Sequence, residues 1–316
     1  TQFTGNYDFW YQMSQILQKQ AKDQQKKRED KMADLKQFIQ RFASNVSKSG
    51  QASSRKKMLE KMELEDIPVT SRKFPYVGFQ PEREIGNFVL TAEKLNSKDD
   101  DGNVLLNDFS ITIHPGEKVA FVGMEHNSIT SFFDIVSETK KPDSGTYSWG
   151  QTTSHSYMGR DNSSYFNNEL TITDWLKQYS PDQDDAYVRG FLGRMLFSGD
   201  DGLKKVKVLS GGEKVRCMLS KMMLSGANVL ILDDPTNHLD LESIESLNEG
   251  LVKFPGVVMF SSHDHEFIST IANRIIEITP KGIIDRMMNF DDYLKDNQVK
   301  QLRKEYYAGL NKKIRI

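Results

Sequence analysis

Cysteine is nearly absent from this chain, since Cys217 is the only one among 316 residues. A single thiol excludes an internal disulfide, which fits the reducing conditions of the cytoplasm. No apolar run approaches the roughly 20 residues that a membrane-spanning helix needs. With a net charge of −2, the whole chain has no electrostatic bias toward nucleic acid. We therefore expect a cytoplasmic protein without a membrane partner.

The first residues also lack two features. The chain opens with Thr1, without an initiating Met and without a signal peptide, which predicts a fragment or a processed product. Residues 6–9 (NYDF) echo residues 289–291 (NFD) near the other end. From this short repeat we expect that a related domain precedes the chain in the full protein.

Glycine and proline are missing between residues 7 and 46, where apolar residues recur at helical spacing. A turn-rich stretch over residues 44–50 and a second helical pattern over residues 52–64 follow, which together predict a long antiparallel helical hairpin. Between residues 19 and 61 there are 13 basic and 5 acidic side chains, a local charge of +8. Such polarised charge is typical of an RNA-binding arm, and a solvated spacer would show it as well.

The stretch over residues 206–240 reads VKVLSGGEKVRCMLSKMMLSGANVLILDDPTNHLD. Ser210-Gly211-Gly212 predicts a turn whose backbone N–H groups can approach a ligand closely. Residues 213–224 follow helical spacing, and residues 229–232 are an all-apolar run of the buried-strand type. This run ends in Asp233-Asp234, and open α/β sheets bind ligands at that end of their strands. A glycine turn at a helix N-terminus indicates a phosphate contact.

These residues resemble the ATP-binding cassette (ABC) ATPases and, within them, the ABC-F branch. The family's signature is matched by Leu209, Ser210, Gly211, Gly212 and Glu213. Walker B is matched up to Asp233, the D-loop by Asn237, His238, Leu239 and Asp240, and the switch histidine by His263. The resemblance implies an α/β P-loop NTPase cassette, with a mixed sheet and a helical subdomain, over residues 86–316. It also implies that residues 1–85 are the interdomain basic hairpin and its connector.

The phosphate loop departs from the family's pattern. The strand predicted over residues 119–122 should lead into G-x-x-x-x-G-K-[ST], whose backbone and Lys hold the phosphates. Ser128 stands in place of the second Gly and Ile129 in place of the Lys, which removes a contact of roughly 1.5–3 kcal/mol. We interpret the stretch as a degenerate Walker A. Its nucleotide-binding positions would be Gly123, Asn127, Ser128, Ile129, Thr130 and Ser131, with Mg²⁺ reached through Thr130 and Asp233.

Other departures concern the positions to which the resemblance assigns catalysis. Arg160 stands at the Q-loop position, where the family has Gln. Asp234 stands where a Glu orients the attacking water; the missing methylene displaces the carboxylate by roughly 1.5 Å, and errors of about 1 Å can cost ~100-fold in rate. His263 keeps the switch position. The resemblance therefore implies catalytic roles for Asp234 and His263 in a weakened site.

The resemblance implies the C-terminal half of an ABC-F ATPase that couples ATP binding and hydrolysis, with Mg²⁺, to translation. Its partners would be the N-terminal cassette of the full-length chain and the ribosome with its rRNA and tRNA. Phosphates of the RNA would be contacted by Lys48, Arg55, Lys56 and Lys57. In the family, each ATP lies between one cassette's Walker A and the other's signature. The isolated chain is therefore expected to lack ATPase activity, although it could form a homodimer.

Two other functions share some of these motifs. The ATPase subunit of an ABC transporter carries the same signature and Walker B, but it has no reason for an arm of charge +8. A nucleotide-binding scaffold without hydrolysis is favoured by Ile129 and opposed by the intact signature.

The remaining patterns continue an α/β alternation. They predict a hairpin turn at residues 99–102, helices over residues 171–179, 185–197, 241–254 and 265–272, strands over residues 257–260, 275–278 and 283–284, and one charged terminal helix over residues 291–312.

Overall fold

The structure is a computed structural model that describes residues 74–308, and within them it has nine β-strands and eight α-helices. The strands are β1 (Leu90–Lys98), β2 (Val104–Ile113), β3 (Lys118–Gly123), β4 (Ser144–Trp149), β5 (His155–Met158), β6 (Val229–Asp233), β7 (Val257–Ser261), β8 (Arg274–Thr279) and β9 (Gly282–Arg286). The helices are α1 (His126–Val136), α2 (Ile172–Lys177), α3 (Asp185–Arg194), α4 (Gly211–Leu224), α5 (Leu241–Lys253), α6 (His265–Ile271), α7 (Phe290–Lys295) and α8 (Asn297–Tyr306).

The smaller of two sheets is antiparallel and has the strand order β2-β1-β4. The predicted hairpin turn joins β1 to β2. There the Asp99 carboxylate accepts hydrogen bonds from the N–H groups of Asp101 and Asn103. Gly102 has a φ of 85°, a conformation that glycine adopts at little cost. The turn chemistry therefore fixes this hairpin locally.

The larger sheet has the order β5-β6-β7-β3-β8-β9, with β9 antiparallel to β8 and the other neighbours parallel. Strands β6, β7 and β8 are buried at every residue, as expected when both faces of a parallel sheet are covered. Alternate residues of β3 enter different cores. Val119 and Phe121 pack with β1, β2 and α1, while Ala120 and Val122 pack with the helices on the opposite face.

The helical part of the cassette lies between β5 and β6 in the chain and packs into the second of these cores. Trp175 of α2 stacks on Phe166, with ring centroids 5.1 Å apart. In α4, Cys217 is fully buried, and burial raises the pKa of its thiol. The predicted mixed sheet with a helical part is present, and the comparisons given below confirm this fold class.

Residues 74–85, which we expected to be part of the connector, pack against the cassette. Val77 and Phe79 are buried, and the Phe79 ring meets Phe254 edge to face at 6.1 Å between centroids. The N–H of Tyr76 donates to the carbonyl of Arg194 at 2.8 Å. The compact unit that contains the cassette therefore includes residues 74–85.

The prediction of one terminal helix from residue 291 is wrong within the described residues, because the chain forms two helices there. The break is at Asp296, which has φ −61° and ψ 127° and ends α7. Its carboxylate accepts the N–H of Val299 at 2.8 Å and so caps α8. An Asp side chain offers the backbone this alternative to continued helix.

Glu277 of β8 anchors both terminal helices. Its carboxylate is fully buried and accepts hydrogen bonds from the Tyr293 hydroxyl at 2.5 Å, the Arg303 Nε at 2.7 Å and the Tyr307 hydroxyl at 2.9 Å. Burial and the neighbouring carboxylate raise the pKa of both tyrosines, which therefore remain donors. A buried charge is stable here because several donors satisfy it.

The predicted basic hairpin, with Lys48, Arg55, Lys56 and Lys57, lies outside the described residues. The end of the predicted terminal helix beyond residue 308 lies outside them as well. Between residues 74 and 308, the helices are all too short or too polar to cross a membrane.

Candidate nucleotide site

Three neighbouring parallel strands of the larger sheet end at the candidate site. β3 lies beside β7, and β7 lies beside β6. Their carboxyl ends therefore bring together the turn after Gly123, Asp233 at the end of β6 and Ser261 at the end of β7. Asp233 and Ser261 are direct neighbours across the two strands.

The turn after β3 is shorter than a phosphate loop. The P-loop pattern puts four residues between its two glycine positions. Here only Met124 and Glu125 precede helix α1, which already begins at His126. Glu125 is the N-cap residue in extended backbone, and its side chain makes no capping hydrogen bond to the helix. Since residues 126–131 contain no glycine, helix propagates through positions that we expected to form the loop.

The predicted nucleotide-binding positions are consequently helical, and several are turned into the protein. Ile129 is only 2% exposed and belongs to the apolar core around β3. Ser128 is buried as well, and the Ser131 hydroxyl donates to a serine hydroxyl of β1 at 2.9 Å. Asn127 is exposed, and Thr130 faces the end of β6. The position of the missing Lys thus contributes to folding rather than to a ligand surface.

Both carboxylate oxygens of Asp233 are engaged within the chain. Oδ1 lies 2.8 Å from His126 Nε2 and accepts the Ser261 hydroxyl at 2.7 Å, while Oδ2 accepts the Thr130 hydroxyl at 2.6 Å. Burial raises the pKa of this carboxyl and the three hydrogen bonds lower it. The hydrogen bonds prevail, so the pKa of Asp233 is below its ordinary value and the group is ionised at neutral pH.

His126 also contacts the predicted switch residue. The rings of His126 and His263 have centroids 5.4 Å apart and planes inclined by 33°. His263 itself is exposed, as is Arg160 in the segment after β5. His126 was not among the predicted site residues, because position 126 is one of the unspecified positions of the phosphate-loop pattern.

Asp234 is turned toward the D-loop. It has a φ of 54°, a left-handed conformation that Asp tolerates better than most residues. Its carboxylate Oδ2 accepts the Asn237 side-chain amide at 2.8 Å, and its N–H donates to the Ser261 hydroxyl at 2.9 Å. At the end of the D-loop, Asp240 caps α5 by accepting the N–H of Ser243 at 2.8 Å.

The signature forms an ordered N-terminus for α4. The Ser210 hydroxyl accepts the N–H of Glu213 at 3.3 Å, and the Glu213 carboxylate accepts the N–H of Ser210 at 2.8 Å. This reciprocal pair is a capping box. A Cβ added at Gly212 would lie 2.8 Å from the carbonyl oxygen of His238, and one at Gly211 would lie 3.0 Å from its ring. The signature turn therefore packs on the D-loop in a space that only glycine fits.

Two leucines tie these segments to the core while the turn itself stays accessible. Leu209 is buried, and Leu239 packs against the same apolar cluster. Ser210 and Gly211 are exposed. The first turn of α4 thus presents backbone groups at the surface, with the partial positive charge of a helix N-terminus.

The C-terminal part of the chain contacts the turn after β3. Tyr307 lies beside the backbone of Met124, the first residue of the turn, and its hydroxyl donates to Glu277 at 2.9 Å. Tyr307 was not among the predicted site residues, because no pattern pairs a residue after the last helix with the first residue of the turn.

A cavity of about 770 Å³ lies beside the same turn. It is lined by residues of β2, by Met124, Glu125 and Ser128, by the β8–β9 hairpin and by Tyr307. Its lining residues include two acidic ones, Asp108 and Glu125, and no basic one.

The sheet order, the strand-end carboxylates and the helical part that carries a glycine turn define an ATP-binding cassette of the P-loop class. The ATP-binding subunit of an ABC transporter has the same fold, with a TM-score of 0.56 and 16% identity over 70% of this chain and 100% of that chain. The dimeric cassette MJ0796, bound to ADP and phosphate, gives a TM-score of 0.54 and 16% identity over 63% of this chain and 99% of that one. These similarities concern the fold.

Two family profiles, both described as ABC transporter, match residues 1–79 and 106–237. The uncharacterized ABC transporter ATP-binding protein YkpA of Bacillus subtilis is 54% identical over 97% of this chain and 57% of its own length. The probable ATP-binding protein YbiT of Escherichia coli O157:H7 is 38% identical over 94% of this chain and 56% of its own. ABC transporter F family member 2 of Arabidopsis thaliana is 30% identical, with 93% and 44% covered.

The chain therefore belongs to the ABC ATP-binding proteins. It spans about half the length of the curated relatives that it matches.

Proposed function

We propose that this chain is the C-terminal half of an ABC-F ATPase and that it supplies the signature to an ATP site of the full-length protein. The Walker A of that site lies on the N-terminal cassette. The observation that carries the proposal is the contrast between two phosphate-contacting positions of one cassette. The signature turn is ordered and exposed, whereas the turn after β3 has lost the loop and the Lys.

The signature has the features that an anion contact requires. Ser210 and Gly211 are exposed at the start of a helix of 14 residues, where backbone N–H groups and the helix dipole favour phosphate. The capping box fixes that turn before any ligand arrives, so little ordering is needed on binding. ATP and Mg²⁺ are then held by the other cassette, and this chain completes the enclosure around the γ-phosphate.

The translation role is supported by sequence. The segment of charge +8 falls within residues 1–79, the part matched by the first family profile, and a relative carries the name of the F family. ABC-F proteins join two cassettes by a hairpin whose tip reaches tRNA on the ribosome. Lys48, Arg55, Lys56 and Lys57 would contact phosphates there, which orients a protein without reading sequence.

The signature assignment is tested by Ser210→Arg in the full-length protein. An Arg in the exposed turn blocks the γ-phosphate contact, so we expect steady-state ATP turnover to fall by about 100-fold. Ser225→Arg, the same change at the exposed far end of α4, is the matched control and should keep wild-type turnover. Unchanged turnover in Ser210→Arg would contradict the proposal.

Asp234→Asn provides a second test of which site works. Its carboxylate is hydrogen-bonded to Asn237 and belongs to the site that lacks the Lys, so turnover of the full-length protein should fall only modestly. A collapse equal to that caused by the matching change in the N-terminal cassette would show that the two sites are assigned wrongly.

The RNA contact is tested by changing Arg55, Lys56 and Lys57 together to Ala. Ribosome co-sedimentation should weaken, and the slope of log affinity against log salt should fall by about 2–3, because up to three phosphate contacts are lost. The control replaces Lys22, Lys26 and Lys27, which carry the same charge in the polar middle of the first predicted helix. Equal effects of both triple changes would show that the arm acts only through its overall charge and not through the predicted contact residues.

A further inference from the structure

We propose that His126 closes this cassette's own nucleotide site, with its imidazole in the place beside Asp233 that Mg²⁺ and phosphate would occupy. The site would then take no Mg-ATP in any state of the protein. This inference deepens the proposed function and rests on it for the assignment of the ATP to the other cassette. It follows because Mg-ATP has three requirements that the described residues do not meet.

The first requirement is an available carboxylate. Mg²⁺ binds through one or two carboxylates and keeps several of its waters, so it needs open space around the oxygen that it approaches. At Asp233 the Oδ1 atom is shared by the His126 ring and the Ser261 hydroxyl, and Oδ2 accepts from Thr130. The residue is 1% exposed. A hydrated cation would have to displace the imidazole.

The second requirement is a loop of backbone donors around the phosphates. In this chain only Met124 and Glu125 lie between β3 and α1, and helix follows from His126. Because His126 is the first helical residue, the same early start of α1 both removes the loop and brings the imidazole to Asp233.

The third requirement is positive charge. The family's Lys position is Ile129, which is packed in the core and offers no charge to a phosphate. Each of the three requirements fails for a separate reason, and only the first depends on His126 directly.

The imidazole also changes the role of His263. In this cassette the ring of His263 lies beside that of His126, with ring centroids 5.4 Å apart. Asp233, His126 and His263 therefore form a continuous side-chain contact at the end of the sheet, and the cassette can present its signature without a nucleotide of its own.

Binding of a fluorescent N-methylanthraniloyl derivative of ATP, with Mg²⁺, to the 316-residue chain is the direct test. We expect no saturable binding to the wild type. Ser128→Gly with Ile129→Lys restores the two missing residues but keeps His126, and adding His126→Ser removes the ring. The triple variant should bind at least about tenfold more tightly than the double variant, a difference of roughly 1.4 kcal/mol. Equal affinity of the two, or saturable Mg²⁺-dependent binding to the wild type, would overturn the proposal.

A second measurement uses the wild-type chain, since Ile129→Lys places a charge in a core position and could impair folding. The imidazole ¹H–¹⁵N correlation of His126, assigned by its loss in His126→Gln, should show a hydrogen-bonded Nε2–H. Addition of Mg-ATP should leave the ¹H–¹⁵N correlation of His126 unchanged. The correlation of His114, which is exposed, serves as the internal control and should not change either. A shift confined to His126 would overturn the proposal.

The outcomes separate this inference from the proposed function. Nucleotide binding by this chain at the His126 site would overturn the closed site and leave the signature role standing. Unchanged ATP turnover of Ser210→Arg in the full-length protein would contradict the signature role and leave the closed site standing.

Discussion

Helices α1 and α4 begin at the two places where a cassette contacts phosphate, and their first turns differ in almost every respect. α4 starts with a Ser-Gly-Gly turn in which Ser210 and Glu213 cap each other, and Ser210 and Gly211 are exposed. α1 starts with His126, whose ring reaches back to a buried carboxylate. Both helices have the same dipole, so a helix N-terminus binds an anion only where its side chains leave the backbone accessible.

The first turns of the two helices also contribute differently to the stability of the fold. In α4, the residues at the turn bond to each other and leave the surface free for a partner. In α1, the residues bond inward, to Asp233 and to the core around Ile129. The first turn of α4 is therefore accessible to a partner, whereas the first turn of α1 is part of the folded interior.

The largest effect is expected from Ile129→Ala. Because Ile129 is buried in a well-packed cluster, its truncation should lower the free energy of unfolding by about 2–5 kcal/mol in urea denaturation. Val208→Ala, at a residue that is 66% exposed, should stay within about 0.5 kcal/mol of wild type. ATP turnover of the full-length protein should not change where the variant is folded. A small loss of stability would mean that position 129 faces a ligand space after all, which would remove the contrast between the two helices.

A smaller effect is expected from Gly212→Ala. The new Cβ would lie 2.8 Å from the His238 carbonyl oxygen, so the signature and the D-loop must move apart. We expect a loss of about 1–3 kcal/mol in unfolding free energy and reduced turnover of the full-length protein. Gly190→Ala in α3 is the control, because a methyl group at that position would have no atom within 4 Å and helix gains up to about 1 kcal/mol from Ala. Equal stability and turnover of the two variants would show that the signature turn does not pack tightly against the D-loop.

The smallest effect concerns pH and the capping box. Burial raises the pKa of Glu213 and the hydrogen bonds from Ser210 lower it, with a net decrease. A carboxyl with a lowered folded-state pKa stabilises the fold above its unfolded pKa of about 4.3, and this contribution is lost as the pH falls through the folded value. Glu213→Gln should therefore destabilise the chain at pH 7 by less than about 1 kcal/mol and match wild type only in acid, below the folded-state pKa of Glu213.

Thermal unfolding of Glu213→Gln at a series of pH values checks this sign. Glu84→Gln, at an exposed glutamate outside any capping box, serves as the control and should follow wild type throughout. A difference between Glu213→Gln and wild type that grows in acid would contradict a bonded carboxylate at the signature.

Much of the fold could be predicted because many of its elements are determined by residues that lie close together in the sequence. Strands β3, β6 and β7 consist mostly of apolar residues, since both faces of the sheet are covered. The signature turn was predictable from Ser210 and the two glycines, because the residue types themselves define the capping box and the turn. These features need no information from distant parts of the chain.

The parts that escaped prediction depend on distant partners. The start of α1 at His126 is tied to Asp233, 107 residues away, and no periodicity signals that pairing. The break at Asp296 was missed because a charged residue fits the exposed face of a helix as well as it fits a cap. The contact between Met124 and Tyr307 joins two unrelated segments. Ser128 and Ile129 were visible in the sequence as departures from the phosphate-loop pattern, but the helical start at His126 was not.

The early start of α1 makes the loss of the phosphate loop hard to reverse by mutation. Restoring the Lys alone puts a charge into the core, and restoring the glycine alone loosens a helix without creating a phosphate contact. Removing His126 alone leaves the Asp233 carboxylate short of one hydrogen bond in a buried position. Under the proposed closed site, each of these single changes lowers stability before any ligand can compensate.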